Sequence, residues 1–232
     1  MFLVCVVLGV PAGIVGIPLT LITRDISLLY KWGNGIAALG VRAAGIRLDI
    51  QGYEHIPAGR ACIFMCNHVS NLDPPILLPK IPGRASVMLK ASLMKIPLLG
   101  PAMRLGKYVP VERESRASAI KSLRFATEVL KEGIHMVVFA EGTRSRTGRL
   151  LPFKKGPFHL AENTKVPVIP TVIYGTGTML VKGSWGIRPG TAHVRFLDPI
   201  DPAQYSERDA LMHAVRESMI AALPVAMRPE EE

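Results

Sequence analysis

A histidine and an aspartate stand close together in the stretch Cys66-Asn67-His68-Val69-Ser70-Asn71-Leu72-Asp73-Pro74-Pro75. An imidazole exchanges protons near neutral pH, and a neighbouring carboxylate fixes its tautomer and steadies its charged form. The pair therefore reads as a general base with its orienting acid. It also has a purely structural reading: His68 as a loop residue, and Asp73 as the cap of a helix whose first position is Pro74. A second reactive stretch is Phe139-Ala-Glu-Gly-Thr-Arg-Ser145. It supplies a carboxylate, a glycine that permits close backbone approach, a hydroxyl, and a guanidinium suited to bidentate phosphate binding. Arg146, Arg149, Lys154 and Lys155 follow, with no acid between Glu141 and Lys155. Most of these cations read as a solvated loop; Arg144, next to a strand end, is the candidate anion ligand.

Both stretches need strands to position them. Ala61–Met65 and Ile134–Ala140 are continuous apolar runs that predict buried strands, one ending just before His68 and the other just before Glu141. Ile46–Gln51 alternates as a half-exposed strand; Ala85–Lys90, Lys107–Val111 and Thr191–Leu197 are further strand candidates. Val166–Tyr174 reads as a strand too, but Pro167 and Pro170 suggest an irregular or edge position. Helices are predicted from Asp73, over Ile96–Gly106, over Ser115–Glu132 with Ser115 as its cap, over Lys155–Asn163 and over Ala210–Ala222. Alternation of strands and helices predicts an α/β fold with a mixed, largely parallel sheet flanked by helices. In such sheets, sites collect at the carboxyl ends of strands.

The first 44 residues differ from the rest. Met1–Thr23 contains no charged residue, and roughly 20 apolar residues suffice to span a bilayer. Pro11 and Pro18 argue against one straight helix. Arg24–Ala44 is a second, mostly apolar helix candidate carrying Arg24, Lys31 and Arg42. Two arrangements follow for this N-terminal apolar helical membrane segment, residues 1–44: one spanning helix, or a hairpin entering one leaflet. Residues 45–232 form the α/β domain, placed on the cytoplasmic side by the basic residues after Thr23. The 232 residues carry a net charge of +10, with 49% hydrophobic and 6% aromatic residues. No RNA-binding signature, zinc-finger spacing or heptad array accompanies the charge, which disfavours nucleic acid and favours an anionic membrane surface. Three cysteines, Cys5, Cys62 and Cys66, give neither a disulfide framework nor a zinc site.

Four blocks in order give the chain its resemblance. They are Asn67-His68-x4-Asp73, Gly106-Lys-Tyr-Val-Pro-Val-Glu-Arg113, Phe139-Ala-Glu-Gly-Thr-Arg-Ser145 and Val166-Pro-Val-Ile-Pro170. Lys90, Ile96-Pro-Leu-Leu-Gly100 and Phe153-Lys-Lys-Gly156 lie between or after them. In this set the chain resembles the glycerolipid acyltransferase family, with Tyr108, Glu112 and Ala140 where phenylalanine, aspartate and proline are usual. The resemblance implies transfer of a fatty acyl group from acyl-CoA or acyl-carrier protein to the sn-2 hydroxyl of 1-acyl-sn-glycerol 3-phosphate, or lysophosphatidic acid, giving phosphatidic acid. It implies His68 as the base and Asp73 as its partner. Arg113 and Arg144 would hold the acceptor phosphate, with Glu141, Gly142 and Thr143 in the same binding block; Glu141 would orient Arg144 or contact the glycerol. Lys90 and backbone N–H groups near Gly142 are candidate oxyanion or donor contacts. No metal and no cofactor beyond the thioester co-substrate is expected. Membrane lipids are expected partners, at the inner (cytoplasmic) membrane with the catalytic domain facing the cytoplasm. Three alternatives stand beside this reading. One is the same chemistry on glycerol 3-phosphate, another lysophospholipid or a lyso-amino-acid lipid. The others are a membrane-bound thioesterase using Cys66 and a non-catalytic lipid-binding protein.

Overall fold

The computed structural model describes residues 1–112, 116–180 and 186–230. The apolar runs become seven strands: β1 (Ile46–Gln51), β2 (Ile63–Cys66), β3 (Ala85–Lys90), β4 (Val109–Val111), β5 (His135–Phe139), β6 (Val168–Tyr174) and β7 (Gly190–Phe196). They form one sheet in the order β1-β7-β6-β2-β5-β3-β4. β6, β2, β5, β3 and β4 are parallel; β7 is antiparallel to β6 and parallel to β1. The sheet is therefore mixed and mostly parallel, as the alternation of elements predicted.

The helices are α1 (Phe2–Thr23), α2 (Ser27–Ala43), α3 (Asp73–Leu77), α4 (Leu99–Leu105), α5 (Arg116–Lys131), α6 (Lys155–Thr164), α7 (Thr176–Met179) and α8 (Arg208–Ala222). Residues of β2 alternate between two cores. Ile63 and Met65 pack with Ala126 and Val129 of α5, Phe158 of α6 and Val215 of α8. Phe64 and Cys66 pack with Val41 of α2 and Ile76 and Leu77 of α3. Cover on both faces explains why β2, β5 and β6 read as unbroken apolar runs rather than alternating ones.

Three local expectations are corrected. β6 is an interior strand despite Pro170, lying between β7 and β2. The ring removes one ladder donor, but the Pro170 carbonyl accepts from Leu197 N at 2.9 Å. Pro11 and Pro18 both lie inside α1, which runs unbroken. Each proline frees the carbonyl four residues earlier without ending the helix. The second apolar helix starts at Ser27 rather than Arg24, because Arg24 takes a left-handed conformation that closes α1. Ser115, the expected cap of α5, lies outside the described residues.

α1 and α2 form an antiparallel pair. Gly16 of α1 lies so close to Leu29 and Trp32 that a Cβ there would meet the Leu29 Cδ1 atom at 2.8 Å. At the other end, Gly40 of α2 faces Met1 and Cys5. α1 also touches the α/β body, where Gly13 meets Leu98 just before α4. Its other side is bare: Phe2, Leu3, Val7, Ile14, Val15, Leu21 and Ile22 are exposed, as are Leu93, Ile96 and Leu99 beside Leu98.

Candidate active site

The sheet brings the two reactive stretches together. β2 and β5 are adjacent and parallel, with Cys66 opposite Phe139, so His68 and Glu141 leave the sheet from the same edge. Asn67 begins the departure. Its Nδ2 donates to Ile173 O at 2.8 Å, and its Oδ1 accepts from Ile173 N at 2.7 Å. The side-chain amide thus supplies the pairing that a continuing strand would give β6, and it frees the backbone of the next residues to turn.

His68 and Asp73 meet in that turn. His68 Nδ1 lies 2.7 Å from Asp73 Oδ2. The same oxygen accepts from Val69 N at 2.9 Å and Ser70 N at 2.8 Å, while Oδ1 accepts from Thr176 Oγ1 at 2.6 Å. Asp73 is fully buried, at 0% exposure. Two backbone N–H groups and the Thr176 hydroxyl already converge on this carboxyl as an acceptor, so Nδ1 meets an acceptor oxygen; that assigns the Nδ1–H tautomer to His68 and leaves Nε2 as its basic lone pair. His68 keeps 15% side-chain exposure. Its ring lies against the Phe139 ring, 4.0 Å between centroids and tilted by 25°. The capping role expected of Asp73 is corrected. Asp73 is the first residue of α3, and its carboxylate turns back to the preceding loop instead of accepting from the first turn of the helix.

Glu141 is also corrected, on physical grounds. It is 1% exposed. One oxygen accepts from His68 N at 2.6 Å and the other from Leu151 N at 2.9 Å. With both oxygens on backbone N–H groups, Glu141 neither orients Arg144 nor meets a glycerol. It pins the loop that bears His68 to the loop that carries Arg144. Ser145 N, which donates to His68 O at 2.8 Å, and Lys154 N, which donates to Ala140 O at 2.8 Å, strengthen the same join. Burial pushes the Glu141 carboxyl up to about 7, with the nearby Asp73 charge adding to the rise and its two backbone bonds opposing it.

Gly142 sits at φ +68, a left-handed turn that favours glycine. Its N–H is spent on Phe139 O at 2.9 Å, so it is not an oxyanion donor. The N–H groups of Thr143 and Arg144 donate to no described residue. Thr143 is exposed; Arg144 is half-buried, and its guanidinium makes no hydrogen bond or ion pair among the described residues. Other cations of this loop are engaged elsewhere, Arg149 with Glu230 at 3.3 Å and Lys155 with Asp209 at 3.3 Å. Lys90 ends β3 on the same edge, exposed, but with β5 between it and β2. Two strand spacings put its backbone roughly 10 Å from β2. Arg113 lies outside the described residues. No cluster of metal-binding side chains occurs among the described residues.

Cys66 is fully buried in the core, and burial drives its thiol far above the ordinary range. A thiol held neutral in this way is no nucleophile. Sequence reading gave Asn67 and Phe139 no role of their own and missed Thr176. Asn67 and Phe139 were in view beside the reactive residues; Thr176 signals itself only as a Gly-Thr pair just past a strand end.

The sequence profile of the acyltransferase family matches residues 47–174. A 1-acyl-sn-glycerol-3-phosphate acyltransferase of Limnanthes douglasii is 32% identical over 201 residues, covering 85% of this chain and 71% of the relative. The human 1-acyl-sn-glycerol-3-phosphate acyltransferase alpha is 32% identical over 179 residues, covering 76% of this chain and 63% of the relative. Among solved structures, the 1-acyl-sn-glycerophosphate (LPA) acyltransferase PlsC from Thermotoga maritima superposes with a TM-score of 0.72 at 33% identity, over 85% of this chain and 81% of that one.

Proposed function

The chain belongs to the acyltransferase family, and from that premise we propose that it acylates the sn-2 hydroxyl of lysophosphatidic acid to give phosphatidic acid. The observation that carries the reading is the His68–Asp73 pair: a fully buried carboxylate on Nδ1, with Nε2 and the guanidinium of Arg144 both without a partner among the described residues, and Ser145, the residue after Arg144, bonded to His68 O. The relatives and the solved neighbour, named for this acceptor, support it.

The chemistry runs through the residues described. His68 Nε2 takes the proton of the sn-2 hydroxyl as its oxygen attacks the thioester carbonyl. Asp73 steadies the imidazolium that forms. The tetrahedral intermediate then collapses, the new C–O bond stays, the C–S bond breaks, and the imidazolium proton goes to the departing thiolate. General-base assistance of this kind is worth about 10²–10⁴-fold. Arg144 holds the acceptor phosphate, with Arg113 as a second cation contributed by sequence. Oxyanion donors come from the N–H groups of Thr143 and Arg144, which have no acceptor among the described residues, with Lys90 as a longer reach to either substrate. The thioester is acyl-CoA or acyl-carrier protein.

α1 and α2 seat this site on the inner (cytoplasmic) membrane with the α/β domain facing the cytoplasm. At about 33 Å, α1 is long enough to span the hydrocarbon core. The hairpin arrangement is the better supported one, because Leu98 of the body meets Gly13 at the middle of α1. A spanning α1 would drag that part of the body to the bilayer centre. Lying in one leaflet, α1 buries its bare apolar side together with Leu93, Ile96 and Leu99.

Purified protein incubated with lysophosphatidic acid and labelled acyl-CoA or acyl-carrier protein tests the proposal. Labelled phosphatidic acid is the expected product. Transfer to glycerol 3-phosphate or a lyso-amino-acid lipid, with lysophosphatidic acid untouched, would move the acceptor; release of free fatty acid alone would make the protein a thioesterase.

A further inference from the structure

Asp73 has four hydrogen-bond donors, and one comes from far along the chain. Thr176 lies 103 residues after Asp73 and two residues past the stretch matched by the family profile. It is fully buried, and among the described residues its hydroxyl is the one donor to Asp73 Oδ1. The backbone is shaped to put it there. Gly175 takes φ +88 where β6 turns into α7, and a Cβ on it would come within 2.5 Å of Thr191 O. No other residue fits that corner, so the chain is forced to present position 176 beneath the His68–Asp73 loop. A second tie lies beside the first: Ser70 Oγ donates to Leu180 O at 3.1 Å, and its own backbone N–H holds Asp73. Val69 rests against Gly177, close enough that a Cβ there would lie 3.6 Å from the Val69 Cβ atom.

From this we infer that Thr176 is a positioning residue of the reaction, fixing through Asp73 the tautomer and direction of His68. The inference rests on the base role proposed above for His68. The physical reason lies in the two oxygens. Oδ2 carries His68 together with two backbone donors, and among the described residues Oδ1 carries Thr176 alone. With Thr176 bonded, the carboxylate plane is fixed at both ends and Oδ2 points at Nδ1. Without it, Oδ1 is a buried anionic oxygen with no partner, and the carboxylate gains by rotating toward any donor within reach. Rotation spoils the Nδ1–H bond and lets the ring change tautomer or direction. Substrate does not touch Thr176, so the damage falls on turnover rather than on binding.

The test compares Thr176→Val, which keeps shape and removes the hydroxyl, with Thr176→Ser, which keeps the hydroxyl. Full-length protein is assayed with lysophosphatidic acid and acyl-CoA, and thermal midpoints are recorded alongside. Losing a hydrogen bond to a buried charge predicts a fall in kcat of roughly ten- to a hundredfold for the valine variant, with both KM values within twofold. The serine variant should recover to within about threefold of the parent. A valine variant with parental kcat, or a serine variant as poor as valine, overturns the assignment. The imidazole ¹⁵N spectrum of His68, assigned with His68→Gln, reads the tautomer without any substrate. Thr176→Val should shift that signal away from the Nδ1–H form and Thr176→Ser should not; an unchanged spectrum also overturns the assignment. If the parent itself fails to acylate lysophosphatidic acid, the proposed function fails, while the ¹⁵N comparison still decides the role of Thr176. Should Thr176→Val not fold, Thr176→Ala is judged by the same criteria.

Discussion

Replacing Asp73 by asparagine separates charge from geometry at the base. Three donors converge on Oδ2, His68 Nδ1, Val69 N and Ser70 N, and one hydroxyl faces Oδ1. An amide can satisfy all four in one orientation only. Its oxygen must take the place of Oδ2, and its NH₂ must face Thr176, whose hydroxyl can turn to accept. The tautomer of His68 is then preserved, and what is lost is the negative charge. A unit charge about 4 Å from the imidazolium, at an effective dielectric near 20, is worth about 4 kcal/mol. The predicted fall in kcat for Asp73→Asn is therefore about a thousandfold, with the acceptor KM little changed and a near-parental thermal midpoint. Asp73→Ala should be worse on both counts. It leaves buried N–H groups at Val69 and Ser70 unpaired, at about 1–3 kcal/mol each. Initial rates of phosphatidic acid formation and thermal denaturation of the two variants provide the comparison. The double variant His68→Ala, Asp73→Asn should be no slower than His68→Ala alone, since the carboxylate acts through the ring. If Asp73→Asn kept a tenth or more of the parental rate, or if its loss multiplied that of His68→Ala, the carboxylate would not be acting through His68.

Arg144→Ala should raise the KM for the phosphorylated acceptor by about ten- to a hundredfold, as expected for a charge-assisted bond of 1.5–3 kcal/mol, with kcat within a few-fold; an unchanged acceptor KM would remove its phosphate role. Glu141 should make stability depend on pH. Its folded-state value of about 7 lies above the ordinary 4.5, so the folded chain holds this proton more tightly. The stability so conferred is complete below pH 4.5 and is lost as pH rises through 7, by roughly 3 kcal/mol in all. Urea titrations between pH 4.5 and 8 should show this slope in the parent and a shallower one in Glu141→Gln; equal slopes would mean that Glu141 does not titrate in the folded core.

The fold was legible where both sheet faces are covered. Runs such as Ile63–Cys66 and His135–Phe139 leave a chain of this composition little choice but buried parallel strands, and their carboxyl ends fell beside His68 and Glu141. Pro170 misled because local propensity argues for an edge, whereas its carbonyl is still used and the apolar residues around it need burial on both sides. Pro11 and Pro18 misled in the same way: local propensity argues for a break, yet α1 runs through both and meets α2 and Leu98 at Gly16 and Gly13. At the site, residue types singled out His68 and Asp73, which the fold brings within 2.7 Å of each other. Spacing could not tell where the Glu141 carboxylate points, because its partners are backbone N–H groups of His68 and Leu151, which any residue carries. Thr176 was out of reach for a related reason: only the completed β6–α7 corner brings it to Asp73.

The amide of Asn67 bears on the chemical lifetime of the protein. Asparagine side chains age by deamidation, in which the backbone nitrogen of the next residue attacks the amide carbon. Here that nitrogen belongs to His68 and is held at 2.6 Å by Glu141. Both ends of the Asn67 amide are bound to Ile173, and the residue is 1% exposed. The atoms that would have to meet are each tied elsewhere, and water is excluded. Mass spectrometry of long-stored folded protein should find Asn67 intact while exposed Asn71 accumulates aspartate; loss at Asn67 at the same rate would contradict this. Were Asn67 converted, an oxygen would face the Ile173 carbonyl that now accepts a hydrogen bond, and the loop bearing His68 would be pushed off the sheet. The contacts that aim His68 also guard its neighbour against a lesion that would disarm it.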